Sequence, residues 1–271
     1  MLEKKKLGKK KIITIILLIV FLVIFVYSLY NVIMWMIDNK KNNDLVNEIN
    51  NVVEVVEHED SDNTEVIEEP VNKEDPYFDY IKMKLIDVNL SELKNKNKDT
   101  VGWINVSGTN INYPFVQTEN NDYYLSHAFD KSYNNAGWIF LDYRNDIYSD
   151  TNVILYGHDR VNGTMFGPLK SILTNGWLNT NNHTIRISLD KENSLWQVFS
   201  VYVIPTTSDY LYTNFSSDSE YKNFLDMIKN RSIKDFETEV NEENRILTLS
   251  TCYNDDERIV VHAKLIKKET K

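Results

Sequence analysis

Residues 245–266 read Arg-Ile-Leu-Thr-Leu-Ser-Thr-Cys-Tyr-Asn-Asp-Asp-Glu-Arg-Ile-Val-Val-His-Ala-Lys-Leu-Ile. Two apolar, β-branched runs, Arg245–Ser250 and Ile259–Ile266, flank a short polar connection. Runs of this kind read as strands, and the polar stretch between them as a turn, in which Asp255 and Asp256 are turn residues. A tight connection between antiparallel strands brings the chain back beside itself. Arg258, which opens the second run, then returns next to Cys252, which follows the first.

The same two-residue rhythm recurs upstream. Val101–Val106, Ile111–Val116, Trp138–Leu141, Asn152–Tyr156, Thr184–Ser188 and Leu195–Ile204 are further strand candidates. Seven of the eight glycines fall between Gly102 and Gly176, where the turns joining these strands must be tight. Two stretches change period. Tyr80–Leu93 has apolar residues at helical spacing, and Ser217–Lys229 opens with Ser and has Glu220 at capping-box distance, so both are expected to be helices. Many short strands with inserted helices predict a mostly β fold, an antiparallel barrel with decorations.

Ahead of this body the chain divides into zones of different charge. Residues 1–11 hold six lysines and one glutamate, a balance of +5, and residues 38–75 hold 13 acids and 3 bases, a balance of −10. The total is −10, so the remainder carries about −5. Between the two zones Ile12–Ile37 runs for 26 residues without a charge. A helix needs about 20 residues to cross the hydrocarbon core. The lysines before the run place the N-terminus in the cytoplasm and the rest outside. The expected organisation is a basic cytoplasmic tail (1–11), a single-pass transmembrane anchor (12–37), an acidic extracellular stalk (38–76) and a folded domain (77–271). The stalk reads as a solvated spacer, with a short amphipathic helix possible at 43–57.

A single cysteine among 271 residues excludes an intrachain disulfide and any zinc site built on two thiolates. The acidic balance argues against a nucleic-acid binder. Taken alone, Cys252 is either a small buried hydrophobe or a reactive thiol, and its place where a strand gives way to a polar loop favours the second. A thiol nucleophile needs a base or a cation nearby. Of the five histidines, His58 lies in the acidic stretch, His183 in an Asn-rich surface turn, His127 at the end of an expected helix and His262 within the last strand. His158 instead follows Val153-Ile-Leu-Tyr-Gly157 at a strand end, with Gly157 allowing a sharp turn beside it. Asp159 adjoins it but, as a neighbour in sequence, is not read as a third catalytic member. Arg258 supplies a guanidinium able to stabilise a thiolate or an oxyanion, unless it is a solvated surface arginine.

Thr248-Leu-Ser-Thr-Cys252 followed by Arg258, with Tyr156-Gly-His158 upstream, resembles the sortases, and class B sortases in particular. Val101-Gly-Trp-Ile104, Tyr113-Pro-Phe-Val-Gln117, Ala136-Gly-Trp-Ile-Phe-Leu-Asp-Tyr-Arg-Asn145 and Gly163-Thr-Met-Phe-Gly-Pro-Leu169 are similar to further family segments in the same order. The resemblance covers about 77–266. It implies a closed eight-stranded sortase-type β-barrel with inserted and N-terminal helices. It also implies a cysteine transpeptidase that needs no metal or organic cofactor.

Such an enzyme cuts a C-terminal sorting signal of secreted proteins, here of the N/S/P-P-x-T-x type, at the Thr carbonyl. It then passes the acyl group from a cysteine thioester to a cell-wall amine such as a peptidoglycan precursor. By matched position Cys252 is the nucleophile, His158 the general acid and base, Arg258 the oxyanion and substrate ligand, and the Tyr253 backbone N–H a helper. Asn121, Leu125 and Ser250 match substrate-groove positions; read without the resemblance, Asn121 is equally a helix cap and Leu125 a core contact. The connection 205–244 is expected to shape specificity, with Thr206 and Thr207 or Tyr210 and Tyr212 facing the groove. Two other readings stand beside this one: a membrane-tethered cysteine endopeptidase that uses water, and a non-enzymatic surface-anchored binding protein with an inert Cys252. A membrane-anchored sortase also implies a Gram-positive cell surface.

Overall fold

A computed structural model of the protein describes residues 8–67, 76–180, 182–252 and 256–271; of Pro76, Tyr77 and Cys252 it describes the backbone alone. In chain order the N-terminal third forms α1 (Lys9–Val52), β1 (Val55–His58), β2 (Thr64–Val66), α2 (Pro76–Tyr80), β3 (Leu85–Val88) and α3 (Ser91–Lys96). There follow β4 (Thr100–Val106), β5 (Asn112–Val116), a 3-10 turn at Tyr123–Leu125, β6 (Phe140–Leu141), β7 (Asn152–Tyr156), α4 (Leu169–Ile172) and α5 (Asn175–Leu178). The chain ends with β8 (Thr184–Leu189), β9 (Glu192–Pro205), α6 (Asp218–Asn230), β10 (Ile246–Cys252) and β11 (Glu257–Thr270).

Eight of these strands close a barrel in the order β10-β7-β6-β5-β4-β8-β9-β11, with β11 pairing back onto β10. Closure satisfies the backbone groups that an open sheet would leave at its edges. Most pairs are antiparallel, and β10–β7 and β5–β6 are parallel. β2 extends the sheet beyond β11 at Lys267–Glu269, and β1 with β3 makes a separate two-stranded ladder.

Period-two alternation divides β10 and β11 between two cores. Leu247, Leu249, Ile259 and Val261 point into the barrel with Trp103, Phe115 and Trp138, while Ile246 and Val260 point out. The outward residues are covered by Tyr221, Phe224, Leu225 and Ile228 of α6. Each such buried side chain contributes roughly 1.5–3 kcal/mol of transfer free energy. The start of α6 follows its sequence signal: Ser217 Oγ accepts from the Glu220 N–H at 3.2 Å, and the Glu220 carboxylate accepts from the Ser216 N–H at 2.8 Å.

All eight expected strands are present, most with ends shifted by a residue or two. Three others were not read from the pattern. The expected helix at Tyr80–Leu93 is instead the end of α2, strand β3 and the start of α3. Leu85, Ile86 and Val88 are buried, and β3 gains a partner in β1, so tertiary pairing outweighs local helical spacing. Part of the expected spacer is likewise built into the body, because β1 and β2 pair with β3 and β11.

α1 is one continuous helix with two environments. It includes an 18-residue window of mean hydropathy 3.2, none of it buried, long and apolar enough by length and composition to cross a membrane. From Asp38 onward a single face turns inward, with Asp38, Asn39, Asn42, Leu45 and Ile49 buried against the barrel. Their spacing of three and four residues is one stripe of a helix, so the amphipathic helix expected at 43–57 is the docked half of α1 as far as Val52, and its last residues belong instead to β1.

Candidate active site

Four chain segments converge at one end of the barrel. β7 leaves the sheet at Tyr156 and continues into Gly157 and His158, β9 ends at Pro205, β10 ends at Cys252 and β11 starts at Glu257. The register ties them together: Ser250 pairs with Tyr156 in the parallel ladder, Arg258 with Ile204, and Cys252 with Arg258. The return of Arg258 beside Cys252 is therefore a backbone fact of the β10–β11 ladder, as the hairpin reading required. Tyr253 lies outside the described residues.

A cleft of about 450 Å³ opens at this end. His158 and Arg258 both line it, together with Asn121, Leu125, Ser250 and Thr251. The side chains named by matched position that the structure describes are thus gathered around one cavity. His158 is half-buried, and its Nε2–H donates to the Leu125 carbonyl at 2.7 Å. A carbonyl can only accept, so this contact holds a proton on Nε2. Arg258 is half-buried, and its Nη1–H donates to the Glu257 carbonyl at 2.9 Å.

Two glycines make room for the histidine. Gly137 has φ of +60°, and a Cβ there would stand 2.6 Å from the Tyr124 carbonyl and 2.7 Å from His158 Cδ2. Gly157 has no positive φ; a Cβ there would meet the Phe166 ring at 2.8 Å. Its role is close approach of Phe166, not the sharp turn expected from sequence. Asp159 is ion-paired with Lys170 at 2.5 Å.

One wall of the cleft is held by a buried carboxylate that the sequence reading did not single out. Asp142 accepts from Arg144 Nε and Nη2 at 2.9 and 2.7 Å, from the Tyr156 hydroxyl at 2.9 Å and from Asn121 Nδ2 at 3.1 Å. The Tyr143 N–H closes the loop by donating to Asn121 Oδ1 at 2.9 Å. Burial alone would raise the Asp142 carboxyl, but the bonds from Arg144 and Tyr156 outweigh it and hold it below its ordinary value. Burial and the adjacent Asp142 charge push the Tyr156 phenol up. Arg144 Nη2 also donates to the Leu211 carbonyl at 3.0 Å, which ties the connection after β9 to the same wall. Asp142 lies within the family-like Ala136–Asn145 stretch, and that was its only signal in the sequence.

Of the four groove candidates in the 205–244 connection, Thr206, Thr207 and Tyr210 line the cleft. Tyr212 instead packs beside Phe215 and Phe224. The hydroxyls of Tyr210 and Ser250 lie 3.0 Å apart, and both residues are buried. Phe140, Tyr156 and Leu211 complete the apolar lining and were not read from sequence as groove residues.

The other histidines are engaged elsewhere. His262 is buried between the Tyr202 hydroxyl and Thr248 Oγ1, each at 2.9 Å, and burial pushes its pKa down to about 3. His183, expected in a surface turn, is buried: Nε2 lies 3.1 Å from the Trp177 carbonyl and Nδ1 3.2 Å from the Tyr80 hydroxyl. His127 stacks on Tyr123 with ring centroids 4.0 Å apart, and His58 pairs with Glu269 at 2.5 Å. Among the described residues no group of three or more His, Cys, Asp or Glu side chains is arranged to hold a metal.

A cysteine backbone at a strand end beside a cleft lined by an imidazole and a guanidinium is an arrangement compatible with acyl transfer. A family model for the sortase domain matches residues 104–266. Sortase B of Staphylococcus aureus is 40% identical over 182 residues, covering 65% of this chain and 73% of that protein. A solved Clostridium perfringens sortase B superposes with a TM-score of 0.63 at 36% identity, covering 66% of this chain and all of that one. A Staphylococcus aureus sortase B–substrate complex superposes with a TM-score of 0.62 at 38% identity, covering 66% of this chain and 84% of that one.

Proposed function

Because this chain belongs to the sortase family of cysteine transpeptidases and its relatives are class B enzymes, we propose that it cleaves a sorting signal of secreted proteins and joins the product to a cell-surface amine. The observation that carries the reading is the cleft itself, lined by His158 and Arg258 where the ladder pairs Cys252 with Arg258. In the proposed reaction Cys252 Sγ, as the thiolate, attacks the Thr carbonyl carbon of an N/S/P-P-x-T-x motif. The C–N bond breaks and His158, starting protonated on both ring nitrogens, gives its Nδ1 proton to the departing amine, leaving a thioester and a neutral imidazole. An incoming amine then attacks the thioester, loses a proton to His158 and expels the thiolate. Arg258 and the Tyr253 N–H stabilise the oxyanion in both halves.

The dispositions of Asn121, Leu125 and Ser250 in the cleft support their role as peptide ligands, with Asn121 held in place by Asp142. The Leu125 carbonyl has a further part in this reading, since it retains the Nε2 proton. The apolar half of α1 is proposed as a single membrane anchor, with residues 1–11 in the cytoplasm and the catalytic domain outside. The acceptor is proposed to be a peptidoglycan-precursor or cell-wall peptide amine.

Incubating the full chain in detergent with a library of x-P-x-T-x peptides and a triglycine amine, read by mass spectrometry, tests this. A ligated product cut after Thr is expected. Free acid alone at saturating amine would leave an endopeptidase. No cleavage of any peptide would remove the reading.

A further inference from the structure

The helix that carries the apolar run does not stop at its outer end. Its exposed part ends at Ile37, and the very next residues, Asp38 and Asn39, are buried in the body. Four side chains clasp them. Asn134 Nδ2 donates to the Asp38 carbonyl at 3.1 Å, and Asn135 Nδ2 to the Asp38 carboxylate at 2.9 Å. Arg160 and Asn162 both donate to Asn39 Oδ1, the latter at 3.2 Å. Arg160 Nη1 donates also to the Asn135 carbonyl at 3.3 Å, which joins the two clasping loops.

These loops belong to the active-site end of the barrel. Arg160 is two residues from His158, and the 134–137 turn ends at Gly137 beneath the His158 ring. The helix then runs toward the opposite end. Glu48 meets Lys96 of α3 at 2.5 Å, and beyond the helix His58 meets Glu269, near the far end of β11. The direction of α1 along the body therefore fixes which end of the barrel is next to the apolar run.

Two large apolar side chains stand out from the clasping loops. Val161, between the two donors to Asn39, is 91% exposed, and Tyr133 is 63% exposed. Only two residues, about 3 Å of helix rise, separate Ile37 from Asn39. A headgroup layer several Å deep surrounds each hydrocarbon face. The exposed Lys40 and Lys41 stand at the same level and suit anionic headgroups.

We propose that this clasp seats the His158 end of the barrel against the bilayer from which α1 emerges, with Tyr133 and Val161 in the phospholipid headgroup layer. The partner is the lipid surface itself, and the cleft works at the height of membrane-held peptides and amines. The inference rests on the reading of α1 as a membrane anchor. It replaces a domain lifted on a spacer by one docked directly on the membrane.

The test uses the full chain in phosphatidylglycerol-containing vesicles, with Cys252→Ala and one new cysteine carrying an environment-sensitive fluorophore. The new cysteine is Val161→Cys, Tyr133→Cys, Phe21→Cys or, at the far end, Lys191→Cys. Nitroxide lipids labelled near the headgroup are expected to quench the labels at 161 and 133 several-fold more than the label at 191. Nitroxides deep in the acyl chains are expected to quench the label at 21. Labels at 161 and 133 no more quenched than at 191, with 21 quenched, would overturn the inference and leave the anchor standing. An unquenched label at 21 would remove both. Asn39→Leu with Asp38→Ala, which removes the side-chain acceptors of Arg160, Asn162 and Asn135, is expected to lower quenching at 161 and not at 21; quenching at 161 that is insensitive to this change counts against the clasp as its cause.

Discussion

Cys252 and Arg258 are direct cross-strand partners in the antiparallel β10–β11 ladder. Paired residues of such a ladder have Cα atoms about 4.5–5.5 Å apart, so the register itself fixes how near the two stand. Arg258→Ala is expected to lower the rate of peptide cleavage by about 10²–10³-fold, as for loss of an oxyanion donor. Arg258→Lys keeps the charge but not the planar fork and is expected to recover only part of that loss. Cys252→Ala is expected to abolish cleavage without changing the melting temperature by more than a few degrees. Full cleavage by Cys252→Ala would remove the thioester mechanism.

The position of His158 depends on an absent methyl group. Gly137→Ala puts a Cβ within 2.7 Å of His158 Cδ2 at a φ of +60°. The backbone conformation alone costs about 1–2 kcal/mol. Displacing the ring by about 1 Å is expected to cost on the order of 10²-fold in kcat. Thermal unfolding and steady-state kinetics of the one variant separate the two effects; an unchanged kcat would mean that the ring does not need this seat.

Asp142 couples one wall of the cleft to the barrel through Arg144, Tyr156 and Asn121. Asp142→Ala leaves a half-buried phenol and a guanidinium without this acceptor. A loss of about 2–3 kcal/mol in stability is expected, in line with hydrogen bonds to a charged group. A raised KM for the sorting peptide is expected beside it, because Asn121 loses its tether. Denaturant titration checks the first and peptide kinetics the second; a KM equal to the parent's would confine Asp142 to stability.

His262 makes the fold sensitive to acid. Its pKa is pushed from 6.5 to about 3, so below pH 6.5 the unfolded chain takes up a proton that the folded chain refuses. Stability is therefore expected to fall as pH drops from about 6.5 toward 3, by up to about 1.4 kcal/mol per unit. The depressed Asp142 carboxyl adds its own loss only below its ordinary value of 3.8. His262→Gln is expected to flatten the upper part of this window in pH-dependent denaturation. A slope identical to the parent's would show that His262 is not the group responsible.

The sequence made the barrel legible where side chains alternate between two apolar environments, as in Leu247, Leu249, Ile259 and Val261. It failed where pairing comes from afar. Nothing local in Leu85–Val88 says that Val55–His58 will lie beside it, and helical spacing there misled. The cleft was legible in the residues that gather at it, because Cys252, His158 and Arg258 stand at strand ends and in family-like segments, and His158 and Arg258 line it. Asp142 was not, since its importance lies in partners two, fourteen and twenty-one residues away in the chain. His183 was misread for the same reason: an Asn-rich stretch looks exposed until Tyr80, Trp177 and Phe236 cover it.

β10 is held between β7, made about ninety residues earlier, and β11, made after it. The β7–β10 ladder cannot form until β10 has left the ribosome, and the β10–β11 ladder that shuts the barrel must wait for β11 as well. Such long-range pairing is also the slow part of folding. Until then the single thiol is carried on a segment whose barrel is still open, with no completed cleft around it. The cleft comes into being in the same event that shuts the barrel, so the enzyme gains its reactivity only at the close of its own assembly.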